Sequence, residues 1–181
     1  MFVGQRKSGL CVRQPLIDVF REYRGANLLI AGDGAWGDEL RKRAEGLPNV
    51  RFLGHVHPDV LRALYAGAIA TLVPSIVYET FGFITLESLA QRTPVIGRDL
   101  GAVGELVRES GGGLTYETDA DLVAAMDSLR SDPQLRNELG ERGHAAYLEN
   151  WSDEPHLRRY LELVEEARGG MARREPQEVA S

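Results

Sequence analysis

Two glutamates and a short glycine-rich turn are the residues of this sequence whose types and spacing could do chemistry. Glu79 and Glu87 are separated by the seven residues TFGFITL, and Gly32, Gly34 and Gly37 form the pattern G-x-G-x-x-G. Carboxylates accept hydrogen bonds from paired hydroxyl groups such as those of a sugar or a ribose. The glycine pattern, between a strand and a helix, is the fingerprint of dinucleotide binding. The sequence therefore offers a candidate hydroxyl-binding site and a candidate NAD site.

The segment around the glutamates predicts an anion site between them. Pro74-Ser75 closes an apolar, strand-like run, and Gly82 marks the turn into the next helix. Glu79 should then lie in a loop, and Glu87 about one turn into the helix. The backbone N–H groups of residues 80–83 would point out of a helix N-terminus, where anions bind. We expect two carboxylates to flank one phosphate-sized site, although either acid alone is equally well explained as a solvated surface residue.

The glycine pattern by itself is weak evidence for an NAD site. In dinucleotide-binding folds it normally follows the first strand, and an acid about 20 residues further on takes the ribose hydroxyls. Here it would follow the second strand, and Gly54-His55-Val56 stands where that acid is expected, with Asp59 only later. We interpret the pattern as a tight turn that lines a ligand pocket. A turn with a purely structural role and an NAD-dependent oxidoreductase are the alternatives.

Strand-like and helical patterns alternate along most of the chain. Short, continuous apolar runs are typical of buried parallel strands, and amphipathic runs between them are typical of crossover helices. This alternation predicts an α/β fold, a doubly wound parallel sheet with helices on both faces. The predicted strands are Met1–Val3, Asn27–Ala31, Val50–Leu53, Ile69–Val73, Pro94–Ile96 and Gly113–Tyr116. The predicted helices lie over 16–23, Gly37–Glu45, Val60–Ala66, Ile84–Gln91, Val103–Arg108 and Asp119–Leu129.

The C-terminal part has only helical patterns, from Asp132 to Arg168. Asp132-Pro133 reads as an N-cap followed by proline at the first helical position. After a break at Asn150–Pro155, the stretch HLRRYLELVEEA forms a second helix with an apolar face. Residues 169–181 have little to bury, so we expect a disordered tail. The sequence thus predicts one domain over residues 1–168.

Composition excludes several classes of protein. The 181 residues include 27 acids and 21 bases, a net charge of −6, which argues weakly against binding to nucleic acid. The single cysteine, Cys11, excludes an intrachain disulfide and a zinc cage. The four histidines show no metal spacing, and we interpret them as surface or capping residues. No signal peptide or run of about 18 apolar residues is present, so we expect a cytoplasmic protein with at most peripheral membrane contact.

Six stretches, in order, resemble a known family. They are GDG after a strand, VRFLGHV, LVPSIVYETFGFITLESLA, TPVIGRDLGAVGELV, GGGLTY and NWSDEPHLRRYLELVEEA. Together they resemble the nucleotide-sugar-binding, C-terminal half of retaining GT-B glycosyltransferases, the group 1 or GT4-like family with bacterial mannosyl- and glucosyltransferases and glycogen and sucrose synthases. The resemblance covers roughly residues 2–168. It implies a Rossmann-like domain that binds a nucleotide diphosphate sugar for retaining hexosyl transfer, without a metal or other cofactor.

The same resemblance implies a role for each matching residue. Glu79 would be catalytic, contacting the hydroxyls of the transferred sugar, and Glu87 would accept both ribose hydroxyls. The amides of Thr80, Phe81 and Gly82 would hold the diphosphate. The loop Gly54-His55-Val56 would meet the base through backbone groups, and Gly32-Asp33-Gly34 would line the opposite side. The remaining expected donor-binding residues are Ser75, Gly4 and Lys7.

The sequence departs from the family at two cationic positions and in length. The family usually has an arginine after the first strand and a lysine about five residues on, which neutralise the leaving diphosphate. Gln5 and Cys11 stand there, with Arg6, Lys7 and Arg13 nearby as possible substitutes. The acceptor-binding domain would precede this chain, so we expect an N-terminal domain or partner chain and an inactive isolated chain. The alternative is a non-catalytic nucleotide-sugar-binding or interaction subunit, and the last helix must dock on its own domain or on a partner.

Overall fold

Six parallel strands form one sheet at the centre of the fold. The computed structural model describes residues 1–5, 15–34 and 36–172. The strands occur in the sheet in the order β3-β2-β1-β4-β5-β6, and every pair is parallel. This doubly wound order reverses direction between β1 and β4, and ligands bind at such a switch point beyond the carboxyl ends of the strands. The strands are β1 (Phe2–Gln5), β2 (Leu28–Ala31), β3 (Val50–Gly54), β4 (Ala70–Val73), β5 (Val95–Arg98) and β6 (Gly113–Tyr116).

Eight helices in the described part of the chain connect and follow these strands, which confirms the predicted fold class. The helices are α1 (Pro15–Glu22), α2 (Gly37–Arg43), α3 (Pro58–Ala66), α4 (Phe83–Ala90), α5 (Gly101–Ser110), α6 (Asp119–Ser131), α7 (Pro133–Asn150) and α8 (Asp153–Ala172). Strand β1 continues two residues beyond the predicted end at Val3, so Gly4 lies inside the strand rather than in the turn after it.

The two faces of the sheet bury separate apolar clusters. Phe2 and Val3 are adjacent in β1 and point to opposite faces, as successive strand residues do. Phe2 packs with Phe20 of α1 and Met126 of α6, and all three are 0% exposed. Val3 packs on the other face with Leu61 and Tyr65 of α3. Helices therefore cover both faces, and the second cluster lies directly beneath the region where the sequence predicts the ligand.

Two helices begin with a capping side chain that the sequence indicates. The Asp132 side chain accepts a hydrogen bond from the Leu135 N–H at 2.9 Å, with Pro133 at the first helical position of α7. His57 caps α3 by accepting from the Asp59 N–H through its ring nitrogen, which confirms a capping role for that histidine. These side chains satisfy backbone donors that the first turn of a helix leaves without a partner.

The C-terminal helices differ from the prediction in two ways. The break between α7 and α8 is limited to Trp151 and Ser152. Helix α8 continues to Ala172, four residues beyond the predicted end of the helical region at Arg168, and residues 173–181 lie outside the described part. Four large apolar side chains of α8, each more than half exposed, are Leu157, Tyr160, Leu161 and Leu163. The domain itself therefore leaves the apolar face of α8 largely uncovered.

None of the helices in the described part of the chain combines the length and the apolarity that a membrane span requires.

Candidate functional site

A cavity of about 1100 Å³ opens beyond the carboxyl ends of β2 and β3. Its walls are the loops after these strands, one face each of α3 and α4, and the junction of α7 with α8. Six of the predicted site residues line it: Gly32, Asp33, His55, Val56, Phe81 and Glu87. The structure thus brings together two stretches that are far apart in the sequence, the glycine turn and the segment of the two glutamates.

Other predicted residues border the cavity or lie away from it. Within the described part of the chain, Gly4, Gly34, Gly54, Ser75, Glu79, Thr80 and Gly82 are not among the lining residues. Lys7 lies outside the described residues, as do Arg6, Cys11 and Arg13. Ser75 is buried and its hydroxyl donates to the Val77 carbonyl at 3.2 Å, so this side chain shapes the loop.

The glycine turn after β2 forms one wall. The Gly32 N–H donates to the Gly54 carbonyl at 2.7 Å and so ties this turn to the end of β3. The Asp33 carboxylate pairs with Arg41 of α2 at 3.2 Å and lies beside Gly54, whose left-handed φ of 64° lets the chain turn there. As the sequence predicts, the turn follows β2 rather than β1, and no carboxylate stands at residues 54–56.

The N-terminus of α4 forms the opposite wall. Gly82 precedes the helix with φ 71° and ψ 42°, and no side chain caps it. The left-handed conformation favours glycine, and a Cβ atom at Gly82 would lie 2.9 Å from Leu106 Cδ1 and displace that side chain. The first N–H groups of a helix have no acceptor within the helix, and the helix dipole makes this end positive. The end of α4 can therefore receive an anionic group.

The two glutamates occupy different surroundings. Glu79 is half-buried on the loop before α4, and Tyr78 beside it packs against Gly101 at the start of α5. Glu87 is half-buried on the second turn of α4 and lines the cavity. The prediction of a loop position for Glu79 and a helical position for Glu87 is confirmed. Of the pair, Glu87 alone faces the cavity.

A buried tyrosine holds the Glu87 carboxylate. The Tyr65 hydroxyl of α3 donates to Glu87 Oε2 at 3.2 Å, and the tyrosine is 1% exposed. Burial, and secondarily the Glu87 carboxylate, raise the pKa of Tyr65 well above its usual range, so the phenol keeps its proton and remains a donor. Sequence reasoning missed Tyr65 because, four residues after Leu61 on an amphipathic helix, it is typical of a core residue.

Little positive charge from side chains reaches the cavity. Among its described lining residues, Arg62 is the sole arginine or lysine, and it is paired with Asp59. Three carboxylates, those of Asp33, Glu87 and Asp153, also line it. No group of three or more potential metal-ligating side chains occurs within the described ranges. In this part of the chain, an anionic ligand would rely on the N-terminus of α4.

Aromatic side chains complete the walls, and of these the sequence predicted Phe81 alone, for its amide. Phe81 and Phe83 lie at the mouth with ring centroids 4.5 Å apart, 47% and 59% exposed respectively. Tyr147, Trp151 and His156 line the far end, at the junction of α7 and α8. That junction lies more than 50 residues from α4 in the sequence. No local sequence pattern predicts that it lies beside α4 in the fold.

The family model "Glycosyl transferases group 1" matches residues 14–146, which include α3, α4 and both loops of the cavity. The chain is 33% identical over 136 residues to the uncharacterized glycosyltransferase MJ1607 of Methanocaldococcus jannaschii, covering 72% of this chain and 35% of that protein. It is 34% identical over 154 residues to the lipopolysaccharide core biosynthesis glycosyltransferase LpsE of Rhizobium meliloti, covering 82% of this chain and 44% of that protein. The matches therefore span less than half of the length of each of these relatives.

The fold matches solved glycosyltransferase-like structures. The structure of Anabaena HepE in complex with UDP superposes with a TM-score of 0.80 at 21% identity, over 91% of this chain and 48% of HepE. HepE has also been solved in complex with UDP-glucose.

Proposed function

Because the chain belongs to the glycosyl transferases group 1 family and has the Rossmann-like fold of a C-terminal GT-B domain, we propose that it binds a nucleotide diphosphate sugar as the donor half of a glycosyltransferase. The observation that carries this proposal is Glu87. Its carboxylate lies in the cavity wall, one turn from the uncapped N-terminus of α4, and a buried phenol orients it. A carboxylate beside an anion site suits a ribose beside a diphosphate.

In this proposal, each part of the donor has a place in the cavity or beside it. The diphosphate lies at the amides of Thr80, Phe81 and Gly82, and the ribose hydroxyls donate to Glu87. The base lies against Gly54–Val56, and the glycine turn closes the other side. The sugar lies toward Glu79, the proposed catalytic residue, on the far side of the diphosphate. HepE, which shares the fold, binds UDP-glucose, which is a donor of this class.

During transfer the bond between the anomeric carbon and the diphosphate oxygen breaks, and a bond to an acceptor hydroxyl forms. The proton of the acceptor hydroxyl passes to the departing diphosphate, which leaves with the nucleoside as an anion. Stabilising that anion is the main electrostatic task, and the N-terminus of α4 is placed to contribute. We propose that a hexose is transferred with retention of anomeric configuration, on the strength of the Glu79–Glu87 motif, and that no metal takes part. Anomeric analysis of the product by NMR tests retention, and transfer in the presence of EDTA tests the metal.

The acceptor site belongs, in this proposal, to another domain or chain. The matched relatives are two to three times longer than the segment that this chain matches. A second wall would close the cavity, exclude water and align the acceptor with the donor.

Calorimetric titration with UDP, GDP and ADP, with NAD as the control, tests the donor-binding proposal. We expect one of the three diphosphates to bind and NAD to bind no more tightly than the best of them. Preferential binding of NAD would support the oxidoreductase alternative instead. The same titration identifies the base that the donor carries.

A non-catalytic nucleotide-sugar-binding subunit is the second candidate. Its supporting observation is the scarcity of cations: Gln5 and Cys11 replace the expected arginine and lysine, and Arg62 is engaged with Asp59. Mixing the chain with a candidate acceptor domain and a nucleotide sugar separates the two functions. Sugar transfer supports the enzyme, whereas donor binding without transfer across acceptor domains supports the subunit.

A further inference from the structure

The contact between α3 and α4 joins a buried phenol to the carboxylate that faces the cavity. Tyr65 and Glu87 are 22 residues apart in the sequence, and the hydroxyl–carboxylate distance is 3.2 Å. The tyrosine ring packs in the cluster of Val3 and Leu61 and is 1% exposed. The tyrosine also lines the cavity, so its hydroxyl contacts Glu87 within the cavity wall.

A network of buried hydrogen bonds fixes both ends of this contact. The Thr93 hydroxyl donates to the Tyr65 carbonyl at 2.7 Å and so anchors the end of α3. Ser88, the residue after Glu87, has its Oγ 2.8 Å from Thr71 Oγ1 and 2.9 Å from the Thr93 carbonyl. Thr93 thus contacts both helices. Satisfied buried networks of this kind restrict the positions that their members can take.

The chemistry of the pair suits a site for two hydroxyls. A carboxylate has roughly four acceptor positions, and one phenol uses one of them. A phenol is a neutral donor, so this contact orients the carboxylate without neutralising its charge. The Tyr65 hydroxyl remains a hydrogen-bond donor at ordinary pH, because burial raises its pKa and keeps it protonated.

From this geometry we infer that Tyr65 is a positioning residue, which aims the Glu87 carboxylate at the two ribose hydroxyls of the nucleotide. The inference rests on the proposed function, since it presumes that a ribose occupies this part of the cavity. It assigns to α3 a part in donor recognition that its apolar pattern does not indicate.

The test compares ligands with and without ribose hydroxyls. Tyr65→Phe keeps the ring and removes the hydroxyl. We expect this variant to bind UDP about three- to ten-fold more weakly, the usual range for one lost hydrogen bond, in NMR titrations of the full chain. Its affinity for 2′,3′-dideoxyuridine diphosphate, which offers no ribose hydroxyl, should stay within about two-fold of the unaltered chain. In the Glu87→Ala background, Tyr65→Phe should change UDP affinity no further.

Tyr116→Phe is the matched control, because Tyr116 is also buried, 6% exposed, and lies on β6 outside the cavity lining. It should leave the affinity for both ligands unchanged. An equal loss of both ligands in Tyr65→Phe would mean that the tyrosine acts through packing and would overturn the inference. Unchanged UDP affinity would overturn it as well. If the unaltered chain binds none of UDP, GDP and ADP, the proposed function fails and this inference fails with it, an outcome distinct from failure of the variant alone.

Discussion

In the proposed function, recognition of the nucleotide depends most on the side chain of Glu87. We predict that Glu87→Ala weakens UDP or GDP binding by about 1.5–3 kcal/mol, roughly ten- to 150-fold, because two hydroxyls lose a charged acceptor. Calorimetry or NMR titration measures the change. Glu109→Ala, which removes an exposed acid from α5 away from the cavity, is the control. Unchanged affinity in a folded Glu87→Ala variant would contradict the proposed role of Glu87 in binding the ribose hydroxyls.

We expect Glu79 to contribute to binding of the sugar but not to binding of the nucleotide. Glu79 lies on the loop before α4 and outside the lining of the cavity, whereas Glu87 lies within it. We predict that Glu79→Gln binds UDP or GDP as the unaltered chain does but binds the corresponding nucleotide sugar more weakly, because the neutral amide accepts hydrogen bonds less strongly. Parallel titrations with the nucleotide and its sugar make the comparison. Equal losses for both ligands would show that Glu79 does not contact the sugar.

Single residues were predictable where their signal lies within one stretch of sequence. Glu87, the glycine turn and the Asp132 cap all belong to local patterns with a physical meaning. Tyr65, Trp151 and His156 do not, because each meets the cavity through packing between distant elements. A tyrosine on an apolar helical face looks the same in sequence whether or not its hydroxyl holds a carboxylate.

The start of α4 depends on a glycine that no other residue replaces without cost. Gly82 and Gly46 have similar left-handed φ angles, 71° and 75°, but a Cβ atom at Gly82 would lie 2.9 Å from Leu106 Cδ1 and at Gly46 would meet nothing within 4 Å. We predict that Gly46→Ala costs about 1–2 kcal/mol of unfolding free energy, the cost of the left-handed conformation. Gly82→Ala should cost about 1 kcal/mol more through the added contact.

Chemical denaturation of the two variants measures that difference. Gly82→Ala should also weaken UDP binding, because displacing the start of α4 moves the amides that receive the diphosphate, whereas Gly46→Ala should not. Equal stability of the two variants would contradict the tight contact with Leu106. Unimpaired UDP binding by Gly82→Ala would argue that the end of α4 is not the anion site.

The types and the order of the secondary-structure elements could be predicted from the sequence, whereas the ends of several elements could not. Alternating apolar and amphipathic runs predicted all six strands and their parallel pairing. The end of β1 was placed too early because Gly4 and Gln5 carry no apolar signal, although they pair with Ile30 and Ala31 of β2. Helix α8 was ended too early because Gly169 and Gly170, which disfavour helix, follow Arg168 directly.

In the proposed function, the molecule as a whole supplies one side of a cleft. Its cavity is open beyond the strand ends, and the apolar side chains Leu157, Tyr160, Leu161 and Leu163 of α8 are exposed. A donor held on one wall stays largely solvated, where each electrostatic contact is worth less.

We therefore predict weak binding and no transfer by the purified 181-residue chain. The dissociation constant for the nucleotide sugar should be on the order of 0.1–1 mM, about −4 to −5.5 kcal/mol. Incubation with radiolabelled nucleotide sugar and a panel of acceptors measures transfer. Activity above background in the monomeric chain would reveal an acceptor site that the described residues do not show.

The most direct test of the central claim is an NMR titration of the ¹⁵N-labelled chain with UDP, with GDP and ADP in parallel. The account predicts saturable shifts for the best-binding nucleotide, concentrated at three places around one cavity: the turn at Gly32–Gly34, the loop at Gly54–Val56 and the start of α4 from Thr80 to Glu87. Amides of α6, on the other face of the sheet, should stay unperturbed. Saturable shifts centred elsewhere, or none with any of the three nucleotides at about ten times the expected dissociation constant, would contradict the assignment of this cavity to a nucleotide sugar.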